Sequence, residues 1–406
     1  MYFQILDSKR ECPSVFVDDK IIDKKDASSL THTWAYHLLL DPKVVKFAQI
    51  LLNGMHLEDA CPLHLKTDLN ALNKQYKCYE KAFKNSKIDL AEHCIVDLFP
   101  EAFVIKYNNL KNEITKYVFE NYSFPENYDF LVSISSLVEE IALQKLNIDY
   151  SFFNNIEDNN KTINLKKKIK KINPVIKYNA FGTVTGRLTT KKDSFPILTL
   201  DKKYRSILKP NNDFFVEFDY NAADPRTFLF LNNIPQPRID IHDWHRQLYE
   251  KNFNQSISRD QIKVKFMAWL YNDSDFKFKI PEIDDYYNED SILNKYYNDN
   301  VVKTVFGRNI PVEPKKALPI LIQSTCCDIF LTNVLKVRDI IGSGKHKSYI
   351  SILIHDNMVL DFSKEDLKLL KPIILNFSKV FNDKWLVNIK IGKDLGNMKS
   401  VNVKSL

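Results

Sequence analysis

Cysteine and glycine are scarce in this sequence of 406 residues, which has only 6 cysteines and 8 glycines. So few cysteines in so long a chain do not predict a disulfide scaffold. No run of 18 apolar residues occurs, and the opening MYFQILDSKRECP lacks the apolar core of a secretory signal. We therefore expect a cytoplasmic protein with no membrane partner.

Some of the few cysteines lie near histidines, which raises the question of a zinc site. Cys61 and His64 are separated by two residues, whereas Cys78, His93 and Cys94 follow at irregular distances. Structural zinc sites use closely spaced pairs of ligands. The spacing therefore favours a chain without zinc.

Composition and charge are those of an ordinary globular protein. Hydrophobic residues make up 44% of the chain and charged residues 27%. The 58 lysines and arginines exceed the 51 acidic residues and give a net charge of +7. This balance permits a polyanionic partner without requiring one. The length is sufficient for two or three packed subdomains.

The first half of the chain is predicted to be mostly helical after two short strand-like runs, YFQIL and SVFV. Helical periodicity occurs in PKVVKFAQILLN, LNALNKQYKCYEKAF, LKNEITKYVFENY and FLVSISSLVEEIALQKL. Asp41 as N-cap and Pro42 in the first turn predict where the first of these helices begins. From about residue 175, the strand-like runs FFVEFDY, SYISILI and WLVNIKI alternate with helical segments, which predicts an α+β fold.

The main charge run is NNKTINLKKKIKKINP, residues 159–174. Leu165, Ile169 and Ile172 share one face of a helix, and lysines cover the remainder. Two interpretations stay open. The segment is either a solvated helix or linker, or a surface that follows the phosphates of a nucleic acid. In the second interpretation the contacts are Lys167, Lys168 and Lys171.

Two carboxylates interrupt apolar strand-like segments. Asp219 is near the end of FFVEFDY, and Asp356 lies at the tip of the predicted hairpin SILIHDNMVLDF. A buried carboxylate usually has a partner, often a metal ion, because burying it alone costs several kcal/mol. If the two strands are neighbours, Asp219 and Asp356 can hold two divalent cations that leave positions open for phosphate oxygens. A plain polar turn is the alternative at the hairpin tip.

The segment RDQIKVKFMAWLY, residues 259–271, predicts a helix with one distinctive stripe. Arg259, Lys263, Met267 and Tyr271 are spaced four residues apart and therefore lie on one side. The cationic end of the stripe can hold a triphosphate, and the apolar end can hold a base. Taken alone, the stripe would favour a surface helix with a salt-bridged face.

Eight segments resemble segments of the family A DNA polymerases, the bacterial DNA polymerase I family, and they follow one another along the chain in the same order as in that family. VEFDYNAADPR and LIHDNMVLD, which contain the two aspartates, resemble the palm motifs A and C, and RDQIKVKFMAWLY resembles the fingers helix of motif B. The other five are FGTVTGRLTT, IDIHDWHRQLY, VKTVFGRNIPV, LIQSTCCDIF and IKIGKDLGNM. Each is weak alone, but eight in register indicate a real relationship.

The resemblance implies a right-hand polymerase with an antiparallel palm sheet, helical fingers and a reduced helical thumb. The implied ranges are 1–170 (mostly helical and thumb-like), 171–235 (palm, motif A), 236–315 (fingers) and 316–406 (palm, motif C). The implied activity is template-directed addition of dNTPs to a primer 3′ end by two-metal phosphoryl transfer. Two Mg²⁺ ions, replaceable by Mn²⁺, would be the cofactors. The implied partners are primed template DNA and dNTPs, with a processivity factor or a separate exonuclease as further candidates.

The resemblance also assigns roles to individual residues. Asp219 and Asp356 would bind the metal ions and act in catalysis together with Lys263. The residues assigned to the incoming dNTP are Arg259, Lys263, Met267, Tyr271, Asp224 and His242. The residues assigned to DNA are Arg187, Gln323 and His355, joined by Lys167, Lys168 and Lys171 of the charge run.

The sequence departs from the family pattern at several positions. Asp224 replaces the usual glutamate that excludes a ribose hydroxyl, Met267 replaces a Phe or Tyr, and Asn357 replaces a glutamate. Asp219 and Asp356 are only 137 residues apart, which implies trimmed fingers and a divergent, short member resembling phage or mobile-element enzymes. No Asp-x-Glu occurs before residue 150, so we expect no proofreading exonuclease.

Two other functions stay open. A single-subunit RNA polymerase would share the palm and both aspartates, although TGRLTT and the acidic residue at 224 favour a DNA polymerase. A non-catalytic DNA-binding relic of the fold is the second alternative. A mere binder would not need Asp219, Asp356, Arg259 and Lys263 together, and the sequence has all four.

Overall fold

The structure is a computed structural model that describes residues 1–7, 14–23, 29–90, 93–154, 156, 159–271 and 280–401. Residues 272–279 of the predicted fingers range and 402–406 of the predicted palm range lie outside them. The chain divides into two compact units, Met1–Ser136 and Leu137–Leu406. The division falls earlier than residue 170, so the lysine-rich segment clusters with the second unit.

The first unit combines a small antiparallel sheet of order β1-β2-β3 with helices. Its strands are β1 (Phe3–Ile5), β2 (Ser14–Val17), β3 (Lys20–Asp23), β4 (His32–Thr33) and β5 (Lys46–Phe47). Its helices are α1 (Ala48–Leu51), α2 (Leu57–Ala60), α3 (Leu63–Asn85), α4 (Ile95–Leu98), α5 (Glu101–Asn121) and the start of α6 (Tyr128–Ala142). Stacked aromatic rings join α3 to α5, as where Tyr76 lies 5.7 Å from Tyr107 between ring centroids. The predicted strands near the start and the later predicted helices are confirmed.

The predicted start of a helix at Pro42 is wrong. Asp41 instead accepts a hydrogen bond from the N–H of Lys43 at 2.9 Å in a turn. The following Lys46–Phe47 pairs in parallel with His32–Thr33. The N–H of Phe47 donates to the distant hydroxyl of Tyr128 at 2.8 Å. The strand pairing and the bond to Tyr128 join residues far apart in sequence, and they override the local helical pattern and leave only the short α1.

The cysteines and histidines considered for zinc lie in the first unit. Across the described ranges, no three Cys, His, Asp or Glu residues group so that they could hold a metal ion. Cys94 is disulfide-bonded, which removes its thiolate from metal binding. Cys61 and Cys78 are free thiols.

The second unit is built on a five-stranded antiparallel sheet of order β14-β15-β10-β18-β19. Its strands are β6 (Asn147–Ile148), β7 (Tyr178–Asn179), β8 (Thr189–Thr190), β9 (Leu208–Lys209), β10 (Phe214–Tyr220), β11 (Tyr297–Asn298), β12 (Val301–Lys303), β13 (Asn309–Pro311), β14 (Tyr349–Ile354), β15 (Asn357–Phe362), β16 (Lys379–Val380), β17 (Asp383–Lys384), β18 (Val387–Gly392) and β19 (Lys399–Val401). Its further helices are α7 (Asn160–Lys171), α8 (Ala223–Leu231), α9 (Ile241–Phe253), α10 (Arg259–Tyr271), α11 (Pro281–Tyr286), α12 (Glu289–Tyr296), α13 (Pro314–Gly342) and α14 (Leu370–Ser378). The three predicted strands are β10, β14 and β18, and the mixed helix-and-sheet prediction is confirmed.

Helices α13 and α14 pack against one face of this sheet. On β10, Tyr220 stacks on Phe377 of α14 with ring centroids 4.7 Å apart. Asn333 of α13 donates to the Tyr220 hydroxyl at 2.7 Å. Helix α13 is long and apolar enough to cross a membrane by length and composition, but 72% of its most apolar window is buried inside the protein. Its apolar character is therefore explained by its position as the core helix of this unit.

The loop before β14 is anchored by Asp366, which yields a pH prediction. Asp366 accepts from the N–H groups of Lys347 and Ser348 at 2.9 and 2.8 Å, and from the Ser348 hydroxyl at 2.7 Å. Burial would raise the pKa of Asp366, but the bonds from Ser348 and His346 outweigh it and lower the pKa to about 2. The stabilisation is therefore fully present above the ordinary aspartate pKa and is lost as the pH falls through about 2.

Replacing Asp366 with asparagine is accordingly expected to cost about 1 kcal/mol in the free energy of unfolding at pH 7. The difference from the wild type should shrink steadily as the pH is lowered towards 3. Urea unfolding curves at several pH values measure both quantities. The exposed neighbour Glu365, changed to glutamine, is the control and should show no comparable loss. A cost for Asp366→Asn that is independent of pH would contradict the assignment.

Candidate active site

The two predicted carboxylates lie side by side at one end of the central sheet. Asp219 is the next-to-last residue of β10, and Asp356 is the second residue of the two-residue turn between β14 and β15. Strands β10 and β15 are antiparallel neighbours, and Asp219 pairs with Asn357, the residue after Asp356. The sequence analysis required the strands that carry Asp219 and Asp356 to be neighbours, and in the structure they are.

Strained backbone marks the turns beside both carboxylates. His355 immediately before Asp356 has φ 56°, and Ala222, three residues after Asp219, has φ 52°. A residue with a Cβ enters this left-handed region at a cost of about 1 kcal/mol, and such outliers cluster at functional sites. A turn that served only to reverse the chain would more easily carry glycine or asparagine at this position. The strain supports a functional hairpin tip.

Asp219 is harder to ionise than an ordinary aspartate. Burial, the charge of Asp356 and the charge of Glu217 raise the pKa of Asp219 to about 6. A hydrogen bond from Asn388 and the charge of Lys390 act in the opposite direction. Asn388 lies directly opposite Asp219 on β18. It is not among the residues predicted from the sequence, although a polar residue inside an apolar strand is a signal that could have found it.

Asp356 shares this property. Burial and the nearby charge of Asp224 raise its pKa, against its backbone hydrogen bond and the electrostatic effect of Arg187 and His355. Two adjacent carboxylates that resist ionisation favour a bound cation, which would relieve their repulsion. In the described part of the chain no group of three or more such residues could hold a metal ion alone. The remaining ligands would have to come from substrate and water.

Helix α10 faces these carboxylates across a cavity of about 230 Å³. Its bounds, Arg259–Tyr271, match the predicted helix. Arg259, Lys263 and Met267 line the cavity together with Asp219 and Asp356. One cavity thus combines three acidic side chains, those of Asp219, Asp224 and Asp356, with two basic ones. This arrangement suits a polyphosphate that binds together with a divalent cation.

Arg259 is held by a carboxylate that was not predicted. Asp240 accepts two hydrogen bonds from the Arg259 guanidinium, at 3.1 and 2.7 Å, and caps α9 by accepting from the N–H groups of His242 and Asp243. Burial acts to raise the pKa of Asp240, but the bonds from Arg259 and Asn221 lower it well below its usual range. The signal in the sequence is an aspartate in the N-cap position of a helical segment.

The fully buried Arg226 ties the turn after β10 to the segment before α9. Its guanidinium donates to the carbonyl oxygens of Asn221 at 2.7 Å and Ile239 at 3.0 Å. The Asn221 side chain donates to Asp240 at 2.6 Å. Burial lowers the pKa of Arg226 to about 10, so the group stays charged at pH 7. A continuous polar chain thereby links the turn beside the carboxylates to Arg259.

Asp224 is the centre of a second polar group at the cavity. The Tyr271 hydroxyl donates to one of its oxygens, and Arg187 Nη2 lies 3.8 Å from the other. Burial and the charge of Asp224 raise the pKa of Tyr271 well above its usual range, so the hydroxyl stays a donor. Three residues predicted from separate segments therefore meet here.

His242 lies in the first turn of α9 and lines the same cavity. Burial and the cations Arg259 and Lys263 lower its pKa to about 4, against the charge of Asp240. The ring is therefore neutral at pH 7. Its buried Nδ1 has no hydrogen-bond partner in the described chain, which leaves capacity for a bond to a bound ligand.

Three further segments meet at a buried ion pair. Arg308 Nε and Nη2 donate to the Asp328 carboxylate at 2.7 and 2.8 Å. Gly186 has φ 79°, and a Cβ added there would lie 2.5 Å from the Arg308 guanidinium. Glycine is thus required both by the backbone conformation and by the close approach. Gly186, the residue before Arg187, is thereby packed against Arg308, which is bonded to Asp328 of α13.

The other predicted DNA contacts do not line this cavity. Gln323 is half-buried on α13, and His355 is exposed at the hairpin tip. The lysines of the charge run are exposed on α7, whose first turn is capped by Asn159. They are Lys167, Lys168 and Lys171. The structure thus brings together the two carboxylates and the predicted nucleotide residues, with Arg187 beside them.

No family model and no curated protein matches the chain. Among solved structures, it is similar to the POL domain of Pol1 from M. smegmatis, solved in complex with DNA primer-template and dNTP. The TM-score is 0.60 at 11% sequence identity, over 86% of this chain and 81% of that chain. At this identity the similarity is one of fold, a distant relationship to a polymerase domain.

Proposed function

We propose that this chain is a template-directed DNA polymerase that adds dNTPs to the 3′ end of a primer. The observation that carries the proposal is the single cavity in which Asp219 and Asp356 face Arg259 and Lys263. Phosphoryl transfer depends almost entirely on positioning and on charge stabilisation of this kind. The polymerase-like fold supports the same conclusion.

Asp219 and Asp356 are the residues that we assign to two Mg²⁺ ions, with Mn²⁺ as a substitute. Carboxylate oxygens are the hard ligands that Mg²⁺ prefers, and it is usually held by one or two carboxylates together with substrate phosphates. Both aspartates have raised pKa values, and a cation would offset their mutual repulsion. When bound, the ions activate the attacking 3′ hydroxyl and stabilise the leaving group.

The incoming dNTP is assigned to the residues of α10 and its neighbours. Arg259 and Lys263 bind the phosphates, and Lys263 also stabilises the charge that develops on the leaving group. Asp240 stays bonded to Arg259 and orients its guanidinium. Met267 forms the apolar part of the stripe, near the base. The neutral His242 offers its free ring nitrogen to the nucleotide.

Asp224 is the residue that we assign to exclusion of a ribose 2′ hydroxyl. Its side chain is shorter than the glutamate of the resembling family. Tyr271 and Arg187 each engage one of its oxygens and hold the carboxylate in place. Tyr271 therefore acts both near the templating base and as the partner that positions Asp224.

Primed template DNA is the second substrate. We assign residues 171–235 and 316–406 to the palm, 236–315 to the fingers and 1–170 to a thumb-like region. Arg187 and Gln323 would contact the minor-groove side, where acceptors are nearly independent of sequence. His355 would lie beside the primer terminus, and the lysines of α7 would contact phosphates. Proofreading would come from a separate exonuclease, and a processivity factor is a further candidate partner.

Primer extension tests this proposal. A labelled primer on a longer DNA template is incubated with the full chain, with Mg²⁺ and either dNTPs or NTPs, and once without nucleotides. We expect extension with dNTPs only, and no shortening of the primer when nucleotides are omitted. Extension with NTPs would indicate the RNA polymerase alternative and would show that Asp224 does not exclude a ribose 2′ hydroxyl. DNA binding without any extension would indicate the non-catalytic relic.

A further inference from the structure

Helix α3 of the first unit carries a row of lysines on one face. Lys74, Lys77, Lys81 and Lys84 follow one another at intervals of three, four and three residues, so they share one side of the helix. The row extends over about 15 Å of helix axis. All four side chains are exposed. We call these four residues the α3 lysine stripe.

The positive charges of the stripe are not neutralised by acidic side chains nearby in the described part of the chain. Glu80 stands three residues after Lys77 and four before Lys84, positions from which a helical ion pair is possible. Even so, no lysine of the stripe has a carboxylate within 4.0 Å in the described ranges, whereas on α5 Lys116 pairs with Glu120 at 3.8 Å. The positive charge of the stripe is therefore open to an external anion.

The rest of the first unit fixes the orientation of the stripe. The last three lysines of the stripe, together with Lys87, line a groove of about 730 Å³, and among the described residues its acidic lining consists of Glu80 and Asp89. Another face of α3 is held in the core, where Tyr76 stacks on Phe99 with ring centroids 5.2 Å apart. The lysines consequently form a preoriented row along a groove and not a set of scattered charges.

We propose that the α3 lysine stripe binds the sugar-phosphate backbone of nucleic acid. Evenly spaced cations in a row match the evenly spaced phosphates of a strand, and each lysine can displace a condensed counterion. Between Lys74 and Lys84 no large apolar side chain is exposed, whereas a membrane-surface helix would need such residues. The partner named here, primed template DNA, rests on the proposed function. The surface is distinct from the lysines of α7.

The test is the salt dependence of DNA binding by the full chain without nucleotides. In the variant, Lys74, Lys77, Lys81 and Lys84 are all changed to glutamine, which keeps a similar helix propensity. The matched control carries the same change at four exposed lysines elsewhere in this unit, Lys20, Lys43, Lys106 and Lys116. Fluorescence anisotropy with a labelled primed duplex, and with single-stranded DNA, gives the binding constant across a range of KCl concentrations.

We expect the slope of log K against log salt to become shallower by about 3.6 in the stripe variant on duplex DNA, because each of the four lost phosphate contacts removes about 0.9. The control should keep most of the wild-type slope. An unchanged slope in a stripe variant with wild-type circular dichroism would overturn the proposal. The proposal would also be overturned if the stripe variant lost binding to anionic phosphatidylserine vesicles while its DNA binding was unchanged. If the stripe variant shows a shallower slope but the wild-type chain extends no primer, the proposal for the stripe is supported and the proposed polymerase function is contradicted.

Discussion

Asp356→Asn is expected to lower the rate of nucleotide incorporation by at least about 10³-fold, a loss of about 4 kcal/mol in transition-state stabilisation. Asparagine keeps the shape of the side chain but removes the charge that would hold a cation next to Asp219. The same change should leave the protein at least as stable as the wild type. The reason is that burial and the nearby charge of Asp224 already disfavour an ionised carboxylate at position 356.

Two measurements check this pair of effects. Single-nucleotide incorporation at saturating dNTP and Mg²⁺ gives the rate, and urea unfolding gives the stability. The control is Glu365→Gln, which removes an exposed carboxylate from the same unit and should change neither quantity. Incorporation within tenfold of the wild-type rate would remove Asp356 from the catalytic assignment. Lost activity with a large loss of stability would point to a structural role instead.

Arg226→Met is expected to destabilise the second unit by about 3–5 kcal/mol, because removal of a buried charged partner leaves its acceptors unpaired. The acceptors concerned are the carbonyl oxygens of Asn221, Pro237 and Ile239 and the side-chain oxygen of Gln236. The Asn221 side-chain oxygen loses its bond from Arg226 but still accepts from the N–H of Ile241. Asn221 would then hold Asp240 less firmly. We therefore expect weaker dNTP binding as well, through the poorer orientation of Arg259.

Denaturant unfolding of the variant and the wild type measures the first effect, and the KM for dNTP measures the second. The matched control is Arg246→Met. Arg246 is a partly exposed arginine of α9, whose contacts to Asp243 and Glu250 are surface ion pairs and should cost less than about 1 kcal/mol. Equal losses for the two arginines would mean that Arg226 is not the anchor of this network.

Part of the candidate site could be predicted because its signals are local. The stripe from Arg259 to Tyr271 repeats every four residues, and such a period is read directly from the sequence. The charge at the tip of an apolar hairpin is equally visible, because an aspartate at position 356 conflicts with its surroundings. In both cases one short segment contains the whole pattern.

The residues that were missed act through partners far away in the sequence. Asp240 reads as a plain helix cap, and only the fold brings it to Arg259. Asn388 comes opposite Asp219 because β18 pairs with β10. Arg308 and Asp328 are twenty residues apart and form a buried pair only when α13 is in place. No local pattern indicates which polar residues will share a bond.

The sequence by itself determined the helical and strand-like character of most segments, the helix that carries Arg259, Lys263, Met267 and Tyr271, and the two aspartates as candidate metal ligands. These depend on the periodicity of apolar residues and on chemical type, which each segment carries alone. The tertiary structure alone decided that Lys46–Phe47 forms a strand and not a helix, that Asp240 holds Arg259, and that Arg226 anchors the turn beside Asp219. These depend on long-range hydrogen bonds, and burial in the folded chain makes such bonds strong enough to override local preference.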